Sequence, residues 1–161
     1  PVALLLHRRA LPSATLEEVF GLGAATAAIT HGHPTGYLAS GTCAALIKAL
    51  LEGASLMDGL VAAKAMLRLH EGHEETLAAL DLAESLSISS TPRAQAIARL
   101  GGGWVADEAL AISVYCAAVA RDFADGVRLA VNHDGDSDST GAITGNLLGE
   151  MLIVRRMLEA R

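Results

Sequence analysis

The residues best suited to chemistry lie in one short stretch, Asn132-His-Asp-Gly-Asp-Ser-Asp-Ser-Thr-Gly141. Asp134, Asp136 and Asp138 alternate there between two apolar segments. Like charges this close repel, and burying part of the cluster uncompensated costs on the order of several kcal/mol. A hard divalent cation removes that cost, because Mg2+ and Ca2+ prefer carboxylate and hydroxyl oxygens. The plainer reading is a solvated acidic loop capping the next helix, since Asp and Ser favour N-cap positions. Spacing alone leaves both open. An EF-hand is excluded: with Asp134 as first loop position, Ser139 falls where Gly is required and Gly145 where Glu is required.

Two further segments carry chemistry-bearing types. Thr30-His31-Gly-His33-Pro34 offers a pair of histidines two residues apart, a spacing that can ligate zinc. Neither Cys43 nor Cys116 lies near them in sequence and no third ligand is evident, so a histidine capping a helix junction is the plainer reading. In Leu100-Gly-Gly-Gly-Trp104 the glycines allow close backbone approach and Trp104 offers a stacking face. No strand precedes it, so it is neither a P-loop nor a dinucleotide fingerprint, and a helix C-cap explains Gly101 alone. His70 and His73 lack the metalloprotease spacing and read as surface residues. Both cysteines sit mid-helix without a local base and read as inert core residues.

The elements that must position these residues are helices. Thr15 with Glu18 is a capping box opening a helix through about Ile29. Pro34 suits the first turn of a second, over 35–52, that Gly53 can end. Ser55 with Asp58 opens a third through about Leu69, a fourth spans 74–86, and Thr91-Pro92 starts a fifth that Gly101-Gly-Gly103 closes. Residues 107–120 form a strongly apolar helix and 123–131 a short one. The last begins after the acidic loop at 134–138 and runs toward Arg161. No sustained strict alternation occurs, so the expectation is an all-α chain forming one domain over residues 1–161.

Composition agrees. Of 161 residues 52% are hydrophobic and only 3% aromatic, with 16 Gly, which suits closely packed helices better than a β-sandwich. The 19% charged fraction excludes a disordered chain, two cysteines exclude a disulfide scaffold, and a net charge of −6 argues against a nucleic-acid binder. The stretch from Phe20 to Ile47 has no charged residue, but His31-Gly-His-Pro-Thr-Gly36 splits it into pieces too short to span a bilayer. Pro1-Val-Ala-Leu-Leu-Leu6 followed by His7-Arg8-Arg9 does not read as a secretory signal, and the cytoplasm is expected. The apolar helices at 35–52 and 107–120 are expected to need a partner surface to cover them.

Taken in order, Thr30-His31-Gly-His33-Pro34, Leu100-Gly-Gly-Gly-Trp-Val-Ala-Asp-Glu-Ala-Leu110 and Gly135-Asp-Ser-Asp-Ser-Thr140 with Ala142-Ile-Thr-Gly145 resemble the ADP-ribosylglycohydrolase family, from Pro1 to about Gly149. The resemblance implies a compact orthogonal all-α fold with two Mg2+ ions, or Mn2+ in some members. It implies hydrolysis of the glycosidic bond joining ADP-ribose to a protein side chain or small acceptor. Asp136 and Asp138 match the family's C-terminal metal carboxylates and stand as candidate catalytic residues. Ser139 matches the hydroxyl that completes that metal set, and Asp134 precedes the pattern. His31 matches a histidine near bound ADP-ribose, and Gly101, Gly103 and Trp104 match the loop lining the ribose and diphosphate.

The family's N-terminal Ser/Thr-Asp-Asp motif has no counterpart, since Asp-Asp occurs nowhere in the sequence. After Gly149, Glu150-Met-Leu-Ile-Val-Arg155 also departs from the family's Gly- and Pro-containing close. The resemblance therefore implies a fold incomplete at its N-terminus, a C-terminal half with about half of the metal ligands. The missing half or a second chain is the expected partner, beside an ADP-ribosylated protein or conjugate, and this chain by itself is expected to be inactive. The alternative is a non-catalytic helical module that binds ADP-ribose or a partner protein. A third reading is a structural helical domain with an acidic loop.

Overall fold

The computed structural model describes residues 1–4 and 14–159, excepting the side chains of 153–159. The His7-Arg8-Arg9 segment and the end of the last helix toward Arg161 lie outside the described residues. The fold is all-α, as the periodicity predicts. Its helices are α1 (Leu16–Ala28), α2 (Pro34–Leu51), α3 (Leu56–Leu67), α4 (Glu74–Ser87), α5 (Arg93–Leu100), α6 (Ala106–Val119), α7 (Phe123–Val131) and α8 (Ser137–Glu159). Among the described residues no helix is long and apolar enough to cross a membrane.

The chain divides into two compact units, residues 1–74 with 150–161, and residues 75–149. In the first, α1 packs on α2 and α2 on α3. The Thr15 hydroxyl accepts from the Glu18 amide at 3.2 Å while Glu18 Oε2 accepts from the Thr15 amide at 2.7 Å, the capping box in full. Pro34 opens α2 where its missing N–H costs nothing. At the other end Gly53 donates to Leu50 O at 2.9 Å and Ala54 to Ala49 O at 3.0 Å, the paired bonds of a Schellman stop. Val19, Phe20, Leu38, Leu46, Leu50, Leu60 and Leu67 are all buried, each worth about 1.5–3 kcal/mol once removed from water. The helices approach closely because their contact is glycine-lined: a Cβ at Gly41 would come within 2.9 Å of the Phe20 carbonyl oxygen.

In the second unit Ala83 and Leu86 of α4, Ala96, Ile97 and Leu100 of α5, Ala111, Ile112, Tyr115 and Cys116 of α6 and Ala130 of α7 form one core. An ion cluster ties its loops. Asp125, the third residue of α7, accepts from Arg93 Nη1 at 2.9 Å and from Arg121 Nη2 at 2.7 Å. It also accepts from the Arg121 amide at 3.0 Å.

The expectation that α2 and α6 need a partner to cover them is overturned. Leu38 through Leu50 on α2 is almost entirely buried within the chain, as is Ala109 through Ala117 on α6. Their all-round apolar character goes with burial along most of each helix. His70 is also not a free surface residue: its ring stacks on buried Phe20, centroids 4.5 Å apart and planes 10° apart.

Candidate functional site

The acidic stretch is shorter as a loop than its composition suggests. Residues 132–136 form the loop, and Asp138 and Ser139 already lie in the first turn of α8. Asp136 immediately precedes that helix, and its Oδ1 accepts from the Ser139 amide at 3.4 Å, the position of an N-cap. The capping reading therefore holds, and it does not exclude a ligand role. A carboxylate at a helix N-terminus is favoured by the exposed amides there.

That turn gathers the candidate ligands. The Asp136 carboxyl lies within hydrogen-bonding reach of the Asp138 carboxyl and of the Ser139 hydroxyl. These contacts, Asp138 foremost, hold Asp136 below the usual carboxylate range against the opposing effect of burial. Side chains two and three residues apart on an extended loop would not all meet this way. Entry into the helix wraps Asp136, Asp138 and Ser139 around one turn.

His133 ties the loop down. Its Nδ1 accepts from the Gly135 amide at 3.1 Å, which leaves Nε2 to carry the ring proton in the neutral form. Nε2 lies 2.9 Å from Thr140 Oγ1 and donates to it. The buried Thr140 hydroxyl donates to Ala130 O at 2.7 Å, with Asp136 O also at 3.0 Å. Ser113 of α6 approaches the same turn, its Oγ 3.1 Å from Thr140 O.

The glycine turn is brought against this loop. The Asp136 amide donates to Gly102 O at 2.8 Å, and a Cβ at Gly135 would overlap that same carbonyl. Gly101, the C-cap of α5, has φ +113 and Gly103 has φ +74, both left-handed and both strained for any other residue. The turn has an owner for its amides. Glu108, in the first turn of α6, accepts from Gly102 N at 3.1 Å and Gly103 N at 3.0 Å. Trp104 is 73% exposed, its indole lying over Gly102.

His31 belongs to the other unit, just past α1. Its Nδ1 is 2.8 Å from Thr30 Oγ1, and the ring lies over Gly36, where a Cβ would come within 2.8 Å of His31 Cβ. His33 caps α2, its Nδ1 accepting from the Thr35 amide at 3.4 Å and lying 2.8 Å from the Thr35 hydroxyl. The junction reading of this pair is therefore met by His33. The cysteines are free, and burial pushes their thiols up, Cys43 to about 11 and Cys116 to about 12, as inert core thiols require.

Two carboxylates and a hydroxyl at one turn have the donor chemistry of a Mg2+ or Mn2+ site. They fit such an ion in kind, as part of a coordination set. Among the described residues no group of three or more His, Cys, Asp or Glu side chains is arranged to hold a metal. Glu108, His133 and Thr140 escaped the reading of the sequence as site residues. Glu108 stands beside a visible motif, but no local spacing rule links a helix's first turn to a glycine turn behind it.

The profile of the ADP-ribosylglycohydrolase family matches residues 1–154, and the chain belongs to that family. The family is one of glycosidases, which supports a glycohydrolase function in general. No curated protein and no solved structure was found to match it.

Proposed function

We propose that this chain contributes Asp136, Asp138 and Ser139 to a divalent-cation site in an enzyme that hydrolyses ADP-ribosylated side chains or small ADP-ribose conjugates. The observation that carries the reading is the placement of Asp136, Asp138 and Ser139 within one turn at the start of α8, with the Ser139 amide on Asp136 Oδ1 at 3.4 Å. Carboxylates this close in sequence repel, and a cation held between them removes that cost. Asp136 and Asp138 would hold the ion by carboxylate oxygens and Ser139 by its hydroxyl. Mg2+, or Mn2+ in its place, supplies charge neutralisation, an activated water and an anchor for ribose hydroxyls when bound.

The chain's own residues do the rest. His133 and Thr140 keep the loop closed against α8, and the glycine turn sets the depth at which Asp136 sits. Gly101, Gly103 and Trp104 would line the ribose and diphosphate, with the exposed Trp104 indole as the stacking face. His31 is assigned an ADP-ribose contact on the family resemblance alone. Mg2+ demands near-octahedral coordination, and one turn with three donors cannot serve two ions. Further carboxylates, from an N-terminal half or a second chain, complete the proposed centre.

The test is release of free ADP-ribose from a modified protein by the complete assembly, with and without Mg2+. The proposal expects Mg2+-dependent release that Asp138→Ala abolishes. Binding of ADP-ribose without any release would favour the non-catalytic module instead.

A further inference from the structure

We infer that Glu108 is the positioning residue for the candidate metal loop, acting through the peptide that joins Gly102 to Gly103. That peptide is gripped on its two opposite edges. Its N–H, on Gly103, donates to Glu108 Oε2 at 3.0 Å, and its carbonyl, on Gly102, accepts from the Asp136 amide at 2.8 Å. A peptide unit is planar, so its N–H and C=O turn together. Fixing one edge fixes the other.

The same Glu108 oxygen takes the Gly102 amide at 3.1 Å, so the preceding peptide, 101–102, is held by the same carboxylate. The hold is charge-assisted, since an ionised carboxylate accepts more strongly than a neutral carbonyl. Space around it is specified as closely. Gly101 lies so near the Glu108 carboxyl that a Cβ there would overlap it, and a Cβ on Gly135 would overlap Gly102 O. The chain of contacts runs from the first turn of α6, through peptide 102–103, to the Asp136 backbone at the start of α8. The Asp136 carboxyl departs from that anchored backbone, so its place relative to Asp138 and Ser139 depends on Glu108. The turn's amides are also spent: Gly102 and Gly103 point theirs at Glu108, and a diphosphate cannot use them without displacing it.

The claim about metal rests on the proposed function, but the claim about the clamp does not, and two readouts separate them. The first is backbone amide exchange at Asp136 without metal; the second is calorimetric titration of the complete assembly with Mn2+ alone. Glu108→Ala is expected to speed exchange at Asp136 by about tenfold. It is expected to weaken Mn2+ binding by about tenfold to a hundredfold, the usual loss when a group supporting a metal ligand is removed. Glu108→Gln keeps an acceptor oxygen of the same reach and is expected to rescue most of both. If Glu108→Ala does not fold, Glu108→Asp, one carbon shorter, carries the same expectation. Wild-type exchange at Asp136 in the Ala or Asp variant overturns the clamp. So does a Gln variant as impaired as Ala. A complete wild-type assembly that takes no Mn2+, in which the chain still shows the expected exchange pattern, supports the clamp and overturns the metal reading.

Discussion

The amide of Asp136 donates to the carbonyl oxygen of Gly102 at 2.8 Å, and that bond makes one site of two motifs far apart in the sequence. It places the acidic turn against the glycine turn by backbone alone. The contact tolerates no side chain on the residue before Asp136, which is Gly135.

Gly135→Ala should therefore destabilise the chain by about 1–3 kcal/mol, the usual cost of forcing atoms into a packed contact. Gly145→Ala is the control: its Cβ would meet nothing within 4 Å, and it lies inside α8. That substitution should stabilise by about 0.5–1 kcal/mol through helix propensity. Denaturant midpoints at constant slope read both, and a harmless Gly135→Ala would contradict the contact.

Asp125 gives a pH expectation. Hydrogen bonds from the Arg121 side chain, then the Arg121 amide and Arg93, hold its carboxyl well below the usual range. A depressed folded-state pKa means that unfolding takes up a proton, so the stabilisation is complete above the unfolded value and fades as pH falls through it. The window runs from about pH 5 downward to about pH 2. Thermal melts of wild type should fall steeply over that window, and Asp125→Asn should melt lower at neutral pH with a flatter acid limb. Parallel limbs in the two proteins would remove Asp125 from the account.

Thr15→Ala should cost about 1 kcal/mol by deleting the α1 cap. Thr15→Ser, which keeps the hydroxyl, should lose only a few tenths of that. Urea titrations of the two variants distinguish a cap from an incidental surface threonine.

What was legible in the sequence divides along physical lines. Helices were legible because their signals are local: Thr15 with Glu18, Pro34 and Gly53 each act within one turn of the chain and act as predicted. The boundary of the acidic loop was misjudged because Asp138 can serve either in a loop or in a first helical turn. Only the N-cap bond from Ser139 to Asp136 decides it. Glu108 was invisible as a partner of Gly102 because the geometry depends on the left-handed turn at Gly101 and Gly103. The need for a covering partner was overestimated at α2 and α6. An all-round apolar helix signals central placement and does not say whose helices surround it.

The count of ligands makes one functional expectation of its own. With Asp136, Asp138 and Ser139 as its contribution, the purified 161-residue chain should release no ADP-ribose from a modified protein at any Mg2+ concentration. Turnover should appear only when the remaining carboxylates are supplied. Mg2+-dependent turnover by the monomeric chain would mean that the ligands have been misplaced.

The most direct test of the central claim is calorimetric titration of the complete protein with Mg2+, wild type against Asp138→Ala. The account predicts a measurable binding isotherm in the wild type and its loss in the variant, with the helical circular dichroism of the two unchanged. Equal Mg2+ affinity in both proteins would contradict it, and would return Asp136, Asp138 and Ser139 to the role of a helix cap.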